Sequence, residues 1–356
     1  MPTNSVPFHG NHHRDLPQLQ SWTSLRVEEA LDPELPIVDA HHHLWDDERG
    51  RYLLDEFVAE AGGHNIVATI YAQFKAMYRA DGPAAMKPVG EVEFVNGLAA
   101  SSASGRYGPI RVAEAIIGHA DLLLGDGVRP VLESLVAAGN GRLRGIRHGA
   151  TWDDGSAAYG RSFAQRHLIL DAEFQRGFSH LCELGISFDA WLFYSQLDDL
   201  IDLLERNSEA NVVLDHVGGV LGIAPHTDRD EVFTIWRSRI ERLARFPNLT
   251  VKLGGLGMLY LGWDFHLRDI PPSSEEIARA WRPYMETCIE LFGADRCMFE
   301  SNFPMDKQSC GYGVLWNAFK RITSGCSASE KAALFHDNAV RVYRLPRTPV
   351  GASGNS

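Results

Sequence analysis

Two histidines, His41 and His43, lie two residues apart at the end of the apolar run that begins at Ile37. Side chains alternate between the two faces of a strand, so both imidazoles are expected on one face, together with Asp39. Neutral imidazole binds Zn, Fe, Ni and Cu alike. The spacing therefore predicts two ligands of a metal site, although such a pair also occurs by accident in histidine-rich segments.

A third histidine, His216, follows an apolar run that includes Val212 and Leu214. Alternation along that run places His216 on the face of Val212 and Leu214, and Asp215 on the opposite face. Two glycines follow and leave room beside the imidazole. We therefore predict that His216 acts with the first two histidines, as a metal ligand or as a catalytic group.

From residue 36 onward, short apolar runs alternate with helical patterns, which is typical of repeated βα units and a parallel sheet. The pattern predicts an α/β fold, a (β/α)8 TIM barrel, in which reactive side chains lie at the carboxyl ends of the strands. Helix starts are marked by capping boxes such as Ser273 with Glu276. The eight predicted strands are 36–43, 66–73, 113–119, 143–149, 186–193, 211–216, 249–254 and 296–302.

Polar side chains also end the second, third and fourth predicted strands. Tyr71 and Gln73 share a face, and His119 ends the third strand. Arg147 and His148 are adjacent, so only one of them is expected to point inward. An inward Arg147 would hold a carboxylate through two hydrogen bonds, whereas an outward one would be an ordinary surface or interstrand pair. We interpret this set as substrate-binding, with His148 as a further catalytic candidate.

The last strand and its loop supply three more candidates. Glu300 and Asn302 share a face, and Asp306 lies in the loop beyond Pro304, where it is either a general base or a helix cap. Trp152, after the fourth strand, is either a wall of the substrate site or a packing group at the rim. Each alternative stays open in the sequence.

The chain divides into an N-terminal extension (1–35), the barrel (36–345) and a C-terminal tail (346–356) that is expected to be flexible. Residues 1–35 lack a hydrophobic period and are expected to pack over the outside of the barrel or to cover one end. Residues 74–112 are irregular, and we interpret them as an insertion over the catalytic end, a lid or a substrate wall.

The formal net charge of −12 argues against nucleic acid as a partner. No apolar stretch approaches the length that spans a bilayer and no secretion signal is recognised, so a cytoplasmic protein without membrane association is expected. Lys252 and Lys307 are weaker catalytic candidates, and a solvated charge is the default interpretation of each. The sequence contains no H-E-x-x-H, G-x-S-x-G or Walker A motif.

Five motifs stand in the order found in the amidohydrolase-related (amidohydrolase 2) family, which the chain resembles over residues 36 to 345. The resemblance is to its branch of TIM-barrel metal-dependent hydrolases, which contains sugar lactonases and pyrone-dicarboxylate lactonase. The motifs are 39–46 (DAHHHLWD), 143–148 (LRGIRH), 213–219 (VLDHVGG), 251–256 (VKLGGL) and 298–304 (MFESNFP).

The resemblance implies a lactonase that opens a cyclic ester of a small organic or sugar acid by attack of water. His41, His43 and His216 would hold a divalent ion, for which zinc is the leading candidate. Alternatively, they would act without metal as hydrogen-bonding groups. Members of the family commonly end the last strand with Gly-Ser-Asp-Trp-Pro, but this chain has Asn302 in place of that Asp. Either Asp306 or Glu300 takes over its role, or the chemistry needs no base there.

Two other functions remain open. The wider family also contains metal-dependent decarboxylases of aromatic acids, which normally need a carboxylate ligand that Asn302 cannot supply. A barrel that binds a small molecule without turnover is the second alternative. A homodimer is expected for a barrel of this size.

Overall fold

The computed structural model describes residues 13–155 and 164–346; positions 347–356 of the predicted tail and 1–12 of the extension lie outside them. The ten strands of this part are β1 Ile37–His42, β2 Trp45–Asp47, β3 Gly50–Tyr52, β4 Ile66–Ala72, β5 Arg111–Gly118, β6 Leu143–Ile146, β7 Ser187–Ala190, β8 Val212–Leu214, β9 Leu249–Leu253 and β10 Cys297–Phe299. The helices are α1 Leu16–Thr23, α2 Leu54–Ala61, α3 Val89–Ala103, α4 Arg129–Gly139, α5 Ala172–Leu184, α6 Leu197–Arg206, α7 Arg229–Leu243, α8 Ser274–Phe292, α9 Tyr312–Ile322, α10 Ala328–Ala332 and α11 Asn338–Val342.

Eight of the strands form one parallel sheet in the order β1-β4-β5-β6-β7-β8-β9-β10. The first and last strands meet just beyond the end of β10, where the backbone N–H of His43 donates to the Phe303 carbonyl at 2.7 Å. Each barrel strand is followed by one of the helices α2 to α9. The (β/α)8 barrel and all eight predicted strand positions are therefore confirmed, with shorter bounds at most ends.

Inside the barrel, apolar side chains of the strands form a cluster on the side that faces α11. It includes Val38, Ile70, Ile117, Val213 and Met298, each at most 1% exposed. Residues from α11 and just beyond it pack on this cluster and close the barrel from below. The inward-facing residues of these strands therefore form a packed core, as in other (β/α)8 barrels.

The segment 74–112 contains an ordinary barrel helix, α3, so the interpretation of all of it as an irregular insertion is wrong. Residues 74–88, with one short 3-10 turn at Ala84–Met86, and residues 104–110 are loops. The sequence hides α3 because it is rich in Gly, Ala and Ser, and apolar residues do not form one clear stripe. Its buried Glu91 holds the loop through the backbone N–H groups of Phe74 and Ala76.

Residues 13–20 of the extension lie across the carboxyl ends of β1 and β10. Residues 28–32 contact the outer helices α8 and α9. Helix α1 starts with a capping box in which Asp15 accepts from the N–H of Gln18. The side chains of Leu19 and Trp22 are buried against the barrel. None of the helices in the described ranges combines the length and apolar character needed to cross a lipid bilayer.

Candidate active site

Strand β1 loses its regular alternation just before the histidines. The register against β4 is irregular between Asp39 and His42. Ala40 belongs to the apolar interior, yet the ring of the next residue, His41, lies 4.9 Å from the ring of His43. Ala40 and His41 therefore both face the barrel interior, as in a bulge, which increases local twist and redirects a side chain.

Because of this irregularity, the Asp39 side chain points away from His41 and His43. The prediction that Asp39 shares a face with the two histidines is therefore wrong. The Asp39 carboxylate accepts from the Tyr312 hydroxyl at 3.0 Å and from the Ser301 N–H at 2.8 Å. Tyr312 belongs to the outer helix α9. Asp39 therefore connects β1 to β10 and α9 instead of lining the site.

Two consecutive residues after β8 enter the site together. Val213 lies in the apolar interior, and Asp215 continues that inward face, where its Oδ2 lies 3.3 Å from Nη1 of Arg147. His216 joins it because its backbone is left-handed, with φ of 55°. The alternation argument, which put Asp215 opposite His216, therefore missed Asp215 as a site residue.

His216 and Glu300 form a buried imidazole–carboxylate pair. Nδ1 of His216 lies 2.7 Å from Oε1 of Glu300, which also accepts the His216 backbone N–H at 3.0 Å. Since a carboxylate only accepts, Nδ1 carries the proton and Nε2 presents its lone pair. Burial lowers the pKa of His216, although Glu300 opposes the shift; the neutral imidazole is therefore present near pH 7.

Lys252 lies at the centre of the barrel and is fully buried, so its interpretation as a solvated charge is wrong. Its Nζ lies 2.7 Å from Asp189 Oδ2, 3.0 Å from Asp215 Oδ1 and 3.2 Å from His41 Nδ1. Burial alone would lower the pKa of Lys252, but Asp189 and Asp215 raise it above its ordinary value. The ammonium group is therefore charged. Lys307 is also buried, beside Gln20 and Glu60.

Arg147 is the second buried cation, and it points inward. Its Nη1 lies 3.1 Å from His41 Nε2, and its Nη2 donates to the Gln73 carbonyl oxygen. The guanidinium group therefore pairs with Asp215 and His41. On the other side of His41, Nδ1 lies 3.1 Å from Glu300 Oε2, so both nitrogens of this imidazole have charged neighbours.

Asn302 lies between His43 and Asp306. His43 Nδ1 donates to the Ala72 carbonyl at 2.8 Å, so the neutral ring presents its Nε2 lone pair, 3.2 Å from Asn302 Oδ1. Asn302 Nδ2 donates to Asp306 at 2.7 Å. Burial lowers the pKa of His43 and raises that of Asp306 well above its ordinary value.

Asp306 is completely buried and does not cap a helix through its side chain. Its second carboxylate oxygen accepts the Gly257 N–H at 2.8 Å. A Cβ at position 257 would lie 2.8 Å from the Asp306 carboxyl group, so glycine is required for this approach. Asp306 therefore positions Asn302 and has no direct contact with the central histidines.

His119 and His148 form a separate pair beside this cluster. Their ring centroids are 5.2 Å apart. His119 Nδ1 donates to the Arg147 carbonyl at 3.0 Å, whereas His148 Nδ1 accepts the Leu122 N–H at 3.2 Å. The structure does not bring His148 to the other catalytic candidates, because only Arg147 of the adjacent pair points inward.

Tyr71 and Gln73, expected on one face, have different surroundings. The Tyr71 hydroxyl donates to Glu91 of α3 at 2.8 Å, on the outside of the barrel. Gln73 lies at the strand end with 8% of its surface exposed, and its Oε1 is buried with no hydrogen-bond partner in the described ranges. Gln73 therefore stays a substrate-binding candidate, whereas Tyr71 fastens a helix to the sheet.

Trp152 lines a different cavity, of about 320 Å³, which also borders Asp153, His167 and His226. The guanidinium group of Arg166 lies 5.0 Å from the Trp152 ring centroid. The backbone N–H of Trp152 donates to Gln196 at 2.8 Å. Trp152 is therefore at the rim, apart from the charged cluster.

One group in the described part of the chain has donor atoms placed to share a metal ion: His41, Asp215 and His216, whose atoms lie within 4.8 Å of one another. The predicted third ligand, His43, is not in this group. Asp215 Oδ1 and Glu300 Oε2 are buried without a hydrogen bond from the described residues, although cationic or imidazole nitrogens lie 3.0 and 3.1 Å away. Incompletely satisfied carboxylate oxygens beside two imidazoles fit a divalent cation.

Comparison with known proteins agrees with this architecture. A model of the amidohydrolase family matches residues 38–345. An uncharacterised protein, y4mH of Sinorhizobium fredii, is 32% identical over 88% of this chain and 99% of its own length. The L-fucono-1,5-lactonase of Burkholderia multivorans is 26% identical over 87% of this chain and 96% of its own length.

A solved structure shows the same relationship. The crystal structure of an amidohydrolase from Burkholderia multivorans with bound zinc is 25% identical, covers 87% of this chain and 99% of its own, and superposes with a TM-score of 0.67. The zinc in this relative and the donor set of His41, Asp215 and His216 both support a divalent metal in the site.

Proposed function

The chain belongs to the amidohydrolase family, and from this membership we propose that it is a lactonase, which opens a cyclic ester of a small hydroxylated acid by attack of water. The observation that carries the proposal is the His216–Glu300 pair, with Nδ1 and Oε1 2.7 Å apart, at a strand end beside two buried cations. Such a site combines a proton acceptor with fixed positive charge, which ester hydrolysis requires.

The proton acceptor in this proposal is Nε2 of His216. Because Nδ1 donates to Glu300, Nε2 is free to take a proton from the attacking water, and the carboxylate stabilises the imidazolium that forms. The left-handed backbone at His216 is sparsely populated by residues other than glycine, and such strain clusters at functional sites. When the ring oxygen leaves, the same imidazolium returns the proton to it.

Arg147 and Lys252 supply the positive charge. The ester carbonyl oxygen becomes negative as water adds, and buried N–H donors stabilise that charge without reorganising. The Nε–H of Arg147 is buried and donates to no acceptor among the described residues. Lys252 acts at longer range, because its Nζ is already held by Asp189 and Asp215.

Asn302 and Asp306 then have positioning roles. A neutral amide is a poor base, so Asn302 orients the water or the carbonyl beside His43. Asp306 fixes the amide through Nδ2. The carboxylate that the family resemblance expects at position 302 is therefore replaced as a proton acceptor by His216 and not by Asp306.

A divalent ion would be held by His41, Asp215 and His216. When bound, such an ion polarises a carbonyl and lowers the pKa of a coordinated water. His216 belongs to both sets, so an ion and a proton compete for its free nitrogen. Metal content of the purified protein and rates with and without chelator measure that competition directly.

The lactone as substrate is supported by the relative from Burkholderia multivorans, which acts on L-fucono-1,5-lactone by its name. The test is a panel of five- and six-membered lactones, scored by acid release in a pH-stat against buffer alone. A parallel panel of aromatic carboxylic acids is scored for CO2. We expect lactone opening above the buffer rate; CO2 release with no lactone opening would contradict the proposal.

A further inference from the structure

A cavity of about 390 Å³ lies where the extension crosses the ends of β1 and β10. Leu16 of α1 lines one side, and Trp45 and Met305 line the other. Trp45 follows His43 by two residues, and Met305 follows Asn302 by three. The rings of Trp45 and His43 lie 6.5 Å apart, centroid to centroid, so the cavity borders the candidate active site on the side of His43.

The extension is fastened to the barrel at this point. Gln308 accepts the backbone N–H groups of His13 and Arg14 at 3.2 and 3.1 Å and donates to the Arg14 carbonyl at 2.8 Å. Lys307 donates to Gln20 of α1 at 2.8 Å. Residues 13–20 lie outside the stretch 38–345 that the family model matches, so this wall belongs to the chain's own extension.

The indole N–H of Trp45 is an unused donor in the wall of this cavity. Trp45 is only 2% exposed, and its Nε1 has no hydrogen-bond partner in the part of the chain that the structure describes. Its ring stacks on Phe74 at 4.7 Å, and the Arg49 guanidinium group covers it at 4.6 Å. These contacts hold the indole ring in one orientation, which also fixes the orientation of its N–H bond. A buried donor without a partner is costly, and a hydroxyl oxygen of a ligand in the cavity would supply the missing acceptor.

The charges around the cavity have both signs. Arg14 and Arg49 are matched by Asp15 and Glu48. A charged ligand would gain little net attraction from such a lining, whereas a hydroxyl group both donates and accepts. The chemistry of the lining therefore fits a hydroxylated carbon chain.

We propose that this cavity is a specificity subsite, in which residues 13–19 form the wall against the hydroxylated part of the substrate that lies away from the ester bond. The inference rests on the proposed lactonase function and adds the substrate class that the site selects. Its effect is on the choice between lactones, because none of the groups that act on the ester line the cavity.

The test fills the cavity and compares two six-membered lactones. Leu16→Trp places an indole in the cavity, and Ser21→Trp places one on the exposed face of the same helix as the control. We expect Leu16→Trp to lower kcat/KM for D-glucono-1,5-lactone about ten-fold more than for unsubstituted δ-valerolactone. Ser21→Trp should change both by less than about two-fold. An equal fall for both lactones in Leu16→Trp, or no fall, would overturn the subsite.

A binding measurement separates this inference from the lactonase proposal. D-gluconate, the hydrolysis product, should raise the Tm of the wild type but not that of Leu16→Trp. Trp45→Phe, which keeps a ring and loses the N–H, should weaken gluconate binding roughly three- to ten-fold. If the wild type opens no lactone, a gluconate shift that Leu16→Trp abolishes still supports the subsite, while absence of any shift in the wild type refutes it.

Discussion

The interior of this barrel has two halves of opposite chemistry. On the side that faces α11 it is apolar, with residues such as Ile70, Ile117 and Met298. Towards the carboxyl ends it is ionic, with cations and carboxylates such as Lys252 and Glu300, both fully buried. The same strands build both halves; β8, for example, contributes Val213 to one, and Asp215 follows it into the other.

The difference shows which half is built for stability. Apolar groups are stabilised by leaving water, at roughly 25 cal/mol per Å². Buried ions must instead recover a desolvation cost, and well-packed apolar residues of similar volume often do as well or better. The ionic half is therefore better explained by a role in catalysis than by a gain in stability. Its opposite charges keep one another ionised and in position until a substrate binds.

The largest effect should come from removing one charge of the ionic half. Lys252→Met leaves Asp189 buried without its cation and leaves Asp215 with Arg147 alone. We expect a loss of about 3–5 kcal/mol in the free energy of unfolding, measured by urea denaturation. A variant as stable as the wild type would show that this half does not depend on charge balance.

A smaller effect is expected in the apolar half. Ile117→Val removes one buried methylene group from a fully buried residue, which costs about 0.5–1.5 kcal/mol of stability. Ile117 belongs to the apolar cluster and has no polar side-chain atom. We therefore expect kcat of Ile117→Val to stay near that of the wild type. A large loss of kcat with this small loss of stability would mean that the two halves are not independent.

The subtlest effect concerns pH. Burial raises the pKa of Asp306 above its ordinary value of 3.8, so the folded state binds this proton more tightly than the unfolded state. Its contribution to stability is complete below that ordinary value and is lost as pH rises through the folded pKa. Asp306→Asn cannot ionise, so its stability relative to the wild type should increase with pH. The measurement is the free energy of unfolding of both proteins, from denaturation curves at several pH values. A difference between the two proteins that does not change with pH would contradict a raised pKa of Asp306.

The sequence predicted the barrel well because each of its strands is a short apolar run between helical patterns, a local signal. It singled out His41, His216 and Arg147 because they stand at strand ends, but it left open whether Arg147 points inward. It failed where the backbone departs from regular geometry. The bulge before His41 and the positive φ of His216 cannot be inferred from alternation, and these departures removed Asp39 from the site and hid Asp215.

Contacts between distant strands were also beyond the sequence. In the sequence, Lys252 cannot be distinguished from a charged residue on the outer face of a strand. Only its ion pairs with Asp189 and Asp215 show that its side chain lies inside the barrel. For the extension, the sequence predicted only that it packs over the outside of the barrel or covers one end, and it gave no sign that Gln308 binds Arg14 at the rim. The expected roles of His148 and Tyr71 depended on side-chain direction, which their neighbours determine.

The central claim is that the ionic half performs the chemistry, with His216 activated by Glu300. The most direct measurement is kcat for lactone opening by Glu300→Gln, which keeps an oxygen acceptor for His216 and removes the charge. We predict a fall of roughly 100-fold with cooperative unfolding retained, while Ile117→Val stays near the wild-type rate. Unchanged turnover in Glu300→Gln would contradict the account.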